Sequence, residues 1–268
     1  MLAKRILTAA ALLAVFLLAL FAGRWAFASL VALILALGAR EWGTLSGMTR
    51  PGAYAFATLC AGLFGAAGWV LDSGGHDRYL SAALSAASVF WVVIAPVWLA
   101  RGMPGVLLLR IAGLLVLLAT GLAAIRLPPA RLLLVMGLVW VADTAAYFGG
   151  TRFGRTKLAP GISPGKTWEG VACAAVASAA YAMIWAVTDP QLAGMADGVD
   201  GATFVGGALL LCAVSIVGDL FESALKRRAS AKDSGTLLPG HGGVLDRIDS
   251  ATAALPVAAL LFQIARGA

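Results

Sequence analysis

Asp219, Glu222, Ser223 and Lys226 recur at i, i+3, i+4 and i+7, so one helical face would carry two carboxylates, a hydroxyl and an ammonium. Beyond Lys232-Asp233 comes Pro239-Gly240-His241-Gly242-Gly243, whose glycines let backbone N–H groups approach an anion and adopt positive φ. Asp246-Arg247-Ile248-Asp249 then returns two carboxylates at i, i+3. Carboxylates are hard oxygen donors that suit Mg²⁺, an ion usually shared with substrate phosphates. Apolar runs flank the whole stretch, which places it at a membrane boundary, where charge is costly unless it has a partner or a task. The pattern reads as a metal and phosphate site at a lipid surface.

A second polar block precedes it. Asp143 lies inside the apolar run from Met136 to Gly150, and a carboxylate at membrane depth should face a polar cavity or a partner. Tyr147 is four residues on and would share that face. Next come Arg152 and Arg155, which could hold a lipid phosphate or orient the loop, and then Ser163-Pro164-Gly165-Lys166-Thr167-Trp168-Glu169-Gly170. Gly165-Lys166-Thr167 is not a P-loop, because the required first glycine falls at Pro160 and no strand is expected before it. Lys166 and Thr167 at a helix start still offer an anion an ammonium, a hydroxyl and free N–H groups.

The elements that must position these residues are dictated by composition. The 268 residues are 61% hydrophobic and 12% charged, against about a quarter charged in soluble domains. At about 20 apolar residues per crossing, the chain predicts an all-α integral membrane protein of about nine transmembrane helices, near 5–23, 25–39, 53–71, 80–100, 105–125, 131–149, 170–188, 202–222 and 250–265. The first run is longer than a usual leader core and is read as a span, although Ala26-Phe27-Ala28 imitates a cleavage site. A single polytopic domain, 1–268, is expected, with scaffold spans over 1–125 and the chemical site carried by 131–268. Most of the 20 Lys and Arg fall on one side if the N-terminus is cytoplasmic, and both polar blocks then face the cytoplasm.

Several residues have plain readings. Arg40-Glu41-Trp42 ends the second span as a snorkelling interfacial anchor, with support of the site by Glu41 as the alternative. His76 is expected in a solvated outer loop. Cys60, Cys173 and Cys212 fall in spans without ligand spacing and are read as small core residues. Pro96 and Pro256 mark helix ends or kinks. The net charge of +7 serves orientation and attraction to anionic headgroups, and nucleic-acid binding is excluded because the bases border spans.

The run from Ser223 to Asp249 resembles the signature of phosphatidate cytidylyltransferases, the CDP-diacylglycerol synthases: Ser223, Leu225-Lys226-Arg227, Lys232-Asp233 and Pro239-Gly240-His241-Gly242-Gly243-Val244-Leu245-Asp246-Arg247-Ile248-Asp249. The earlier block, Asp143 with Ala146-Tyr147-Phe148-Gly149 and Ile162-Ser163-Pro164 before Lys166-Thr167-Trp168-Glu169-Gly170, is similar to a second element of that family. The resemblance implies CTP and phosphatidate as substrates in phospholipid biosynthesis, with CDP-diacylglycerol and pyrophosphate as products, and a homodimer in the bacterial inner membrane. It also implies Mg²⁺, as one or two divalent ions or a divalent with a monovalent one. On this reading Asp219 and Asp246 are the primary metal ligands, and Asp249, Glu222 or Asp143 are secondary ones. Lys226, Arg227 and Arg247 contact phosphates or pair with those carboxylates. Gly240, His241, Gly242 and Gly243 hold the nucleotide, with Ser223 beside them, and Ser163, Lys166 and Thr167 close the pocket. A CTP-dependent lipid kinase and a cation-coupled transporter are the competing readings.

Overall fold

In hydrocarbon every backbone N–H and C=O must be satisfied within the chain, and long apolar stretches meet that demand as helices. The computed structural model describes residues 2–74, 77–189, 191, 199–237 and 242–267. Among them are ten α-helices: α1 (Leu2–Ala22), α2 (Arg24–Leu45), α3 (Arg50–Asp72), α4 (Asp77–Val89), α5 (Ala95–Arg101), α6 (Val106–Arg126), α7 (Pro129–Phe153), α8 (Trp168–Thr188), α9 (Gly201–Arg228) and α10 (Leu245–Gly267). His76, expected in an outer loop, lies outside the described residues.

Eight helical segments are long and apolar enough to cross a membrane, and the shorter apolar Leu7–Ala22 makes the ninth run of the sequence reading. The second span is not the short piece expected over 25–39 but the full Arg24–Leu45. The fourth, expected over 80–100, runs through Pro96, since α4 and α5 are joined by a π-helical turn, Phe90–Ile94. Proline lacks an N–H for the usual bond four residues back, and the Ala95 N–H reaches the Phe90 carbonyl five residues back. Pro256 likewise sits inside a continuous α10. The carbonyl its missing N–H would have served, that of Thr252, lies 3.1 Å from the Thr120 hydroxyl of α6, which it shares with the Val116 carbonyl at 2.6 Å.

One short strand pair interrupts the helices. Lys157–Ala159 (β1) and Ser163–Thr167 (β2) pair antiparallel, with Lys157 opposite Thr167 and Ala159 opposite Ser163. Pro160 and Gly161 lie between them, residue types that turns favour, so the loop after α7 folds back on itself. Thr167 then caps α8 by accepting the Gly170 N–H at 3.2 Å.

Packing divides the helices into two associated groups. α2 packs on α3 and α6, while α7, α8, α9 and α10 pack in succession, and α10 also touches α4 and α6. Small residues permit the close approaches. Gly113 of α6 lies under the indole of Trp42, whose Nε1–H donates to the Leu109 carbonyl at 2.8 Å; a Cβ at Gly113 would stand 2.6 Å from Trp42 Cδ1. Gly113→Val should therefore cost ~1–3 kcal/mol by overpacking, read as a lower unfolding temperature in detergent. Trp42 is no interfacial anchor: it is buried and stacks on Phe221 of α9, which also meets Phe90, Trp91 and Trp98.

One end of the bundle gathers the polar loops. Arg228 donates to the carbonyls of Met103 and Pro104, and Arg227 Nε donates to the Ile162 carbonyl at 3.2 Å, so the segments after α5, α7 and α9 meet there. At the other end Arg126 donates to the Leu71 carbonyl at 2.9 Å and Ser81 to Gln263 at 3.2 Å. Arg131, at the start of the expected span 131–149, is buried with its guanidinium over the Phe262 ring.

Candidate active site

The predicted face of α9 forms, and it sorts its polar groups into two clusters. Asp219 belongs to the first. Its Oδ2 accepts Lys166 Nζ at 2.7 Å, and its Oδ1 accepts the Ser223 hydroxyl at 3.3 Å. Lys166 comes from β2, so this ion pair joins the two sequence blocks. Gly218 lets α10 close in, because a Cβ there would stand 2.6 Å from the Asp249 carbonyl oxygen. Asp249 and Asp143 consequently lie within electrostatic reach of Asp219 and of each other, with Lys166 the cation shared among them.

The second cluster is built around Asp246, in the first turn of α10. Its Oδ1 accepts Lys226 Nζ at 2.6 Å, and its Oδ2 is approached by the Ser234 N–H at 2.9 Å, the Ser234 hydroxyl at 2.9 Å and the Gly243 N–H at 2.8 Å. Lys226 also pairs with Glu222, which is only 2% exposed. Gly242 has φ 78°, in the left-handed region, and a Cβ there would run into the Asp246 carboxylate.

Asp219 and Asp246 belong to different clusters, and Asp246 is engaged by chain donors, whereas Asp143, Asp219 and Asp249 form an acidic group with one cation in it. Among the described residues no three His, Cys, Asp or Glu side chains already close into a metal cage. The acidic group fits a hard divalent cation by donor type and by charge.

Other expected residues are placed as follows. Thr167 is buried and its hydroxyl caps α8. Ser163 begins β2 and is half-buried, next to the Ile162 carbonyl held by Arg227. Arg247 is exposed, and Tyr147 is exposed and packs edge-on against Phe148. Gly240 and His241 lie outside the described residues. Glu169 accepts the N–H groups of Arg155 at 3.0 Å and Thr156 at 3.1 Å, which fastens the entry to the β1–β2 ribbon.

The residue given too little weight is Glu41. Far from snorkelling, it is 2% exposed and accepts the Ser234 hydroxyl at 2.9 Å and the N–H groups of Val244 at 3.1 Å and Leu245 at 2.8 Å. Its one sequence signal is a carboxylate inside a helix that is otherwise apolar for three turns before Arg40.

The chain is similar to known proteins along its whole length. A protein named phosphatidate cytidylyltransferase from Pseudomonas aeruginosa is 42% identical over 291 aligned residues, covering 100% of both chains. One of the same name from Haemophilus influenzae is 36% identical across 96% of each chain, and one from Thermotoga maritima is 41% identical over 138 residues, 52% of this chain and 51% of its own. The profile of the Cytidylyltransferase family matches residues 3–265, and the chain belongs to that family.

Proposed function

We propose that this chain is a phosphatidate cytidylyltransferase, converting CTP and phosphatidate to CDP-diacylglycerol and pyrophosphate. The observation that carries the reading is the Lys166–Asp219 ion pair at 2.7 Å, which joins two polar blocks at one end of an apolar bundle whose relatives of that name match over full length. A phosphate oxygen of phosphatidate attacks the α-phosphorus of CTP, a P–O bond forms, and pyrophosphate leaves with the electron pair of the broken bond. No protein nucleophile is required; the task is to bring two anions together and align them.

The chain's residues divide that task. Asp219 and Asp249, with Asp143 beside them, would hold Mg²⁺. When bound, the ion supplies neutralisation of phosphate charge and orientation of the reacting oxygens. Lys166 would pass from Asp219 to a phosphate when substrate enters, and Arg227 and Arg247 would offer further cations at the rim. Asp246, held by Lys226, Ser234 and Gly243, would shape the loop between α9 and α10. The site faces the cytoplasm, where the bias of Lys and Arg puts it and where CTP is found, in a bacterial inner membrane. All nine apolar runs cross, the chain is one domain, and the protein works as a homodimer.

The test uses purified protein in detergent with phosphatidate, Mg²⁺ and CTP labelled in either the α- or the γ-phosphate. Label from the α-phosphate should enter the lipid, and chelation with EDTA should abolish transfer. Label from the γ-phosphate in the lipid would make the protein a kinase, and no label in lipid from either would remove both activities.

A further inference from the structure

Glu41 stands in the half of the chain that carries no other motif, yet the sequence puts a charge there and the fold buries it. Its carboxylate meets the N–H groups of Val244 and Leu245 at the start of α10, where backbone donors have no helical partner and the helix dipole favours an anion. The surrounding chain leaves room for it: a Cβ at Gly243 would stand 2.7 Å from Glu41 Cδ, and one at Gly235 would stand 2.9 Å away. The Ser234 hydroxyl lies 2.9 Å from a carboxylate oxygen of Glu41 and 2.9 Å from one of Asp246. Glu41 of α2 and Asp246 of α10 therefore hold the same serine, and the scaffold helix is tied to the first turn of α10.

We infer that Glu41 is a positioning residue for nucleotide binding. It acts by fixing Gly243 and the start of α10, the helix that carries Asp246 and Asp249. A carboxylate is required because two N–H groups and the Ser234 hydroxyl, shared with Asp246, converge on it. A glutamine has one acceptor oxygen and would turn its NH₂ towards an N–H that needs an acceptor. An unmatched buried donor shifts the helix end, and Asp249 moves with it.

This inference rests on the cytidylyltransferase reaction proposed above, so wild-type and Glu41→Gln proteins are assayed together. The variant should raise the KM for CTP with Mg²⁺ by about 10–100-fold, the usual scale for partners that orient a ligand, and leave the KM for phosphatidate within about twofold. Calorimetric titration of CTP and Mg²⁺ without phosphatidate should show the same weakening. If Glu41→Gln does not yield folded protein, Ser234→Ala, which removes only the shared hydroxyl, should shift the CTP KM and affinity in the same direction. A variant with a lower unfolding temperature but unchanged CTP affinity and KM overturns the positioning role and leaves the reaction intact. Wild-type protein that makes no CDP-lipid overturns the reaction instead, and the titration then decides separately whether Glu41 governs nucleotide binding.

Discussion

Asp219→Asn is expected to lower the rate of CDP-diacylglycerol formation by about 10³-fold while leaving the fold intact. The substitution keeps the shape of the side chain and an oxygen for the Ser223 hydroxyl, but removes the charge that pairs with Lys166 at 2.7 Å. It also removes one of the three carboxylates proposed to support Mg²⁺. Loss of that support costs several kcal/mol of charge stabilisation, and about 1.4 kcal/mol is a factor of ten in rate, which sets the magnitude. Stability should move the other way. Asp143, Asp219 and Asp249 lie close enough to repel one another, so neutralising Asp219 in metal-free buffer should hold the unfolding temperature steady or raise it. Initial rates and thermal unfolding of the same preparation, in EDTA and in Mg²⁺, measure both effects. A variant that keeps its rate within tenfold of wild type would show that Asp219 is no part of the metal site.

The second large effect falls on stability. Lys226 Nζ pairs with Glu222 and lies 2.6 Å from Asp246 Oδ1, so one ammonium serves two carboxylates, one of them almost wholly buried. Lys226→Met keeps most of the aliphatic stem and removes the charge. Both carboxylates then stay in a low-dielectric setting without their cation, a loss of the kind that costs ~3–5 kcal/mol when a buried pair is broken from one side. Asp246 retains its bonds from Ser234 and Gly243, whereas Glu222 has no comparable set of chain donors, so Glu222 should dominate the penalty. Adding Glu222→Gln to Lys226→Met should therefore recover part of the lost stability. Unfolding temperatures of the two single variants and the double variant in detergent give the coupling directly. Additive effects would mean that Lys226 answers to Asp246 alone.

Much of the architecture was legible from composition. Helices that cross a membrane must satisfy their own backbone, so apolar length maps onto span with little help from tertiary context. Sequence says less where one residue has two local outcomes. Pro96 and Pro256 signal a helix end in water, but neighbours can repair the ladder, and here a π-turn and the Thr120 hydroxyl do so. Pro160-Gly161 reads as a loop from sequence, and becomes a strand turn only because the segments on either side pair.

The site divides in the same way. Spacing along one helix determined that Asp219, Glu222, Ser223 and Lys226 share a face, because helical periodicity is a local property. Spacing could not say which of those groups would meet Asp246, Asp249, Lys166 or Asp143, since these sit on other elements and the answer depends on how α7, β2, α9 and α10 dock. The close approach at Gly218 brings Asp249 to Asp219, and the loop closed on Ser234 takes Asp246 to Lys226. Glu41 was the least legible of all. Its chemistry lies in three donors that are 193, 203 and 204 residues away along the chain, and only the packing of α2 against the start of α10 brings them to it.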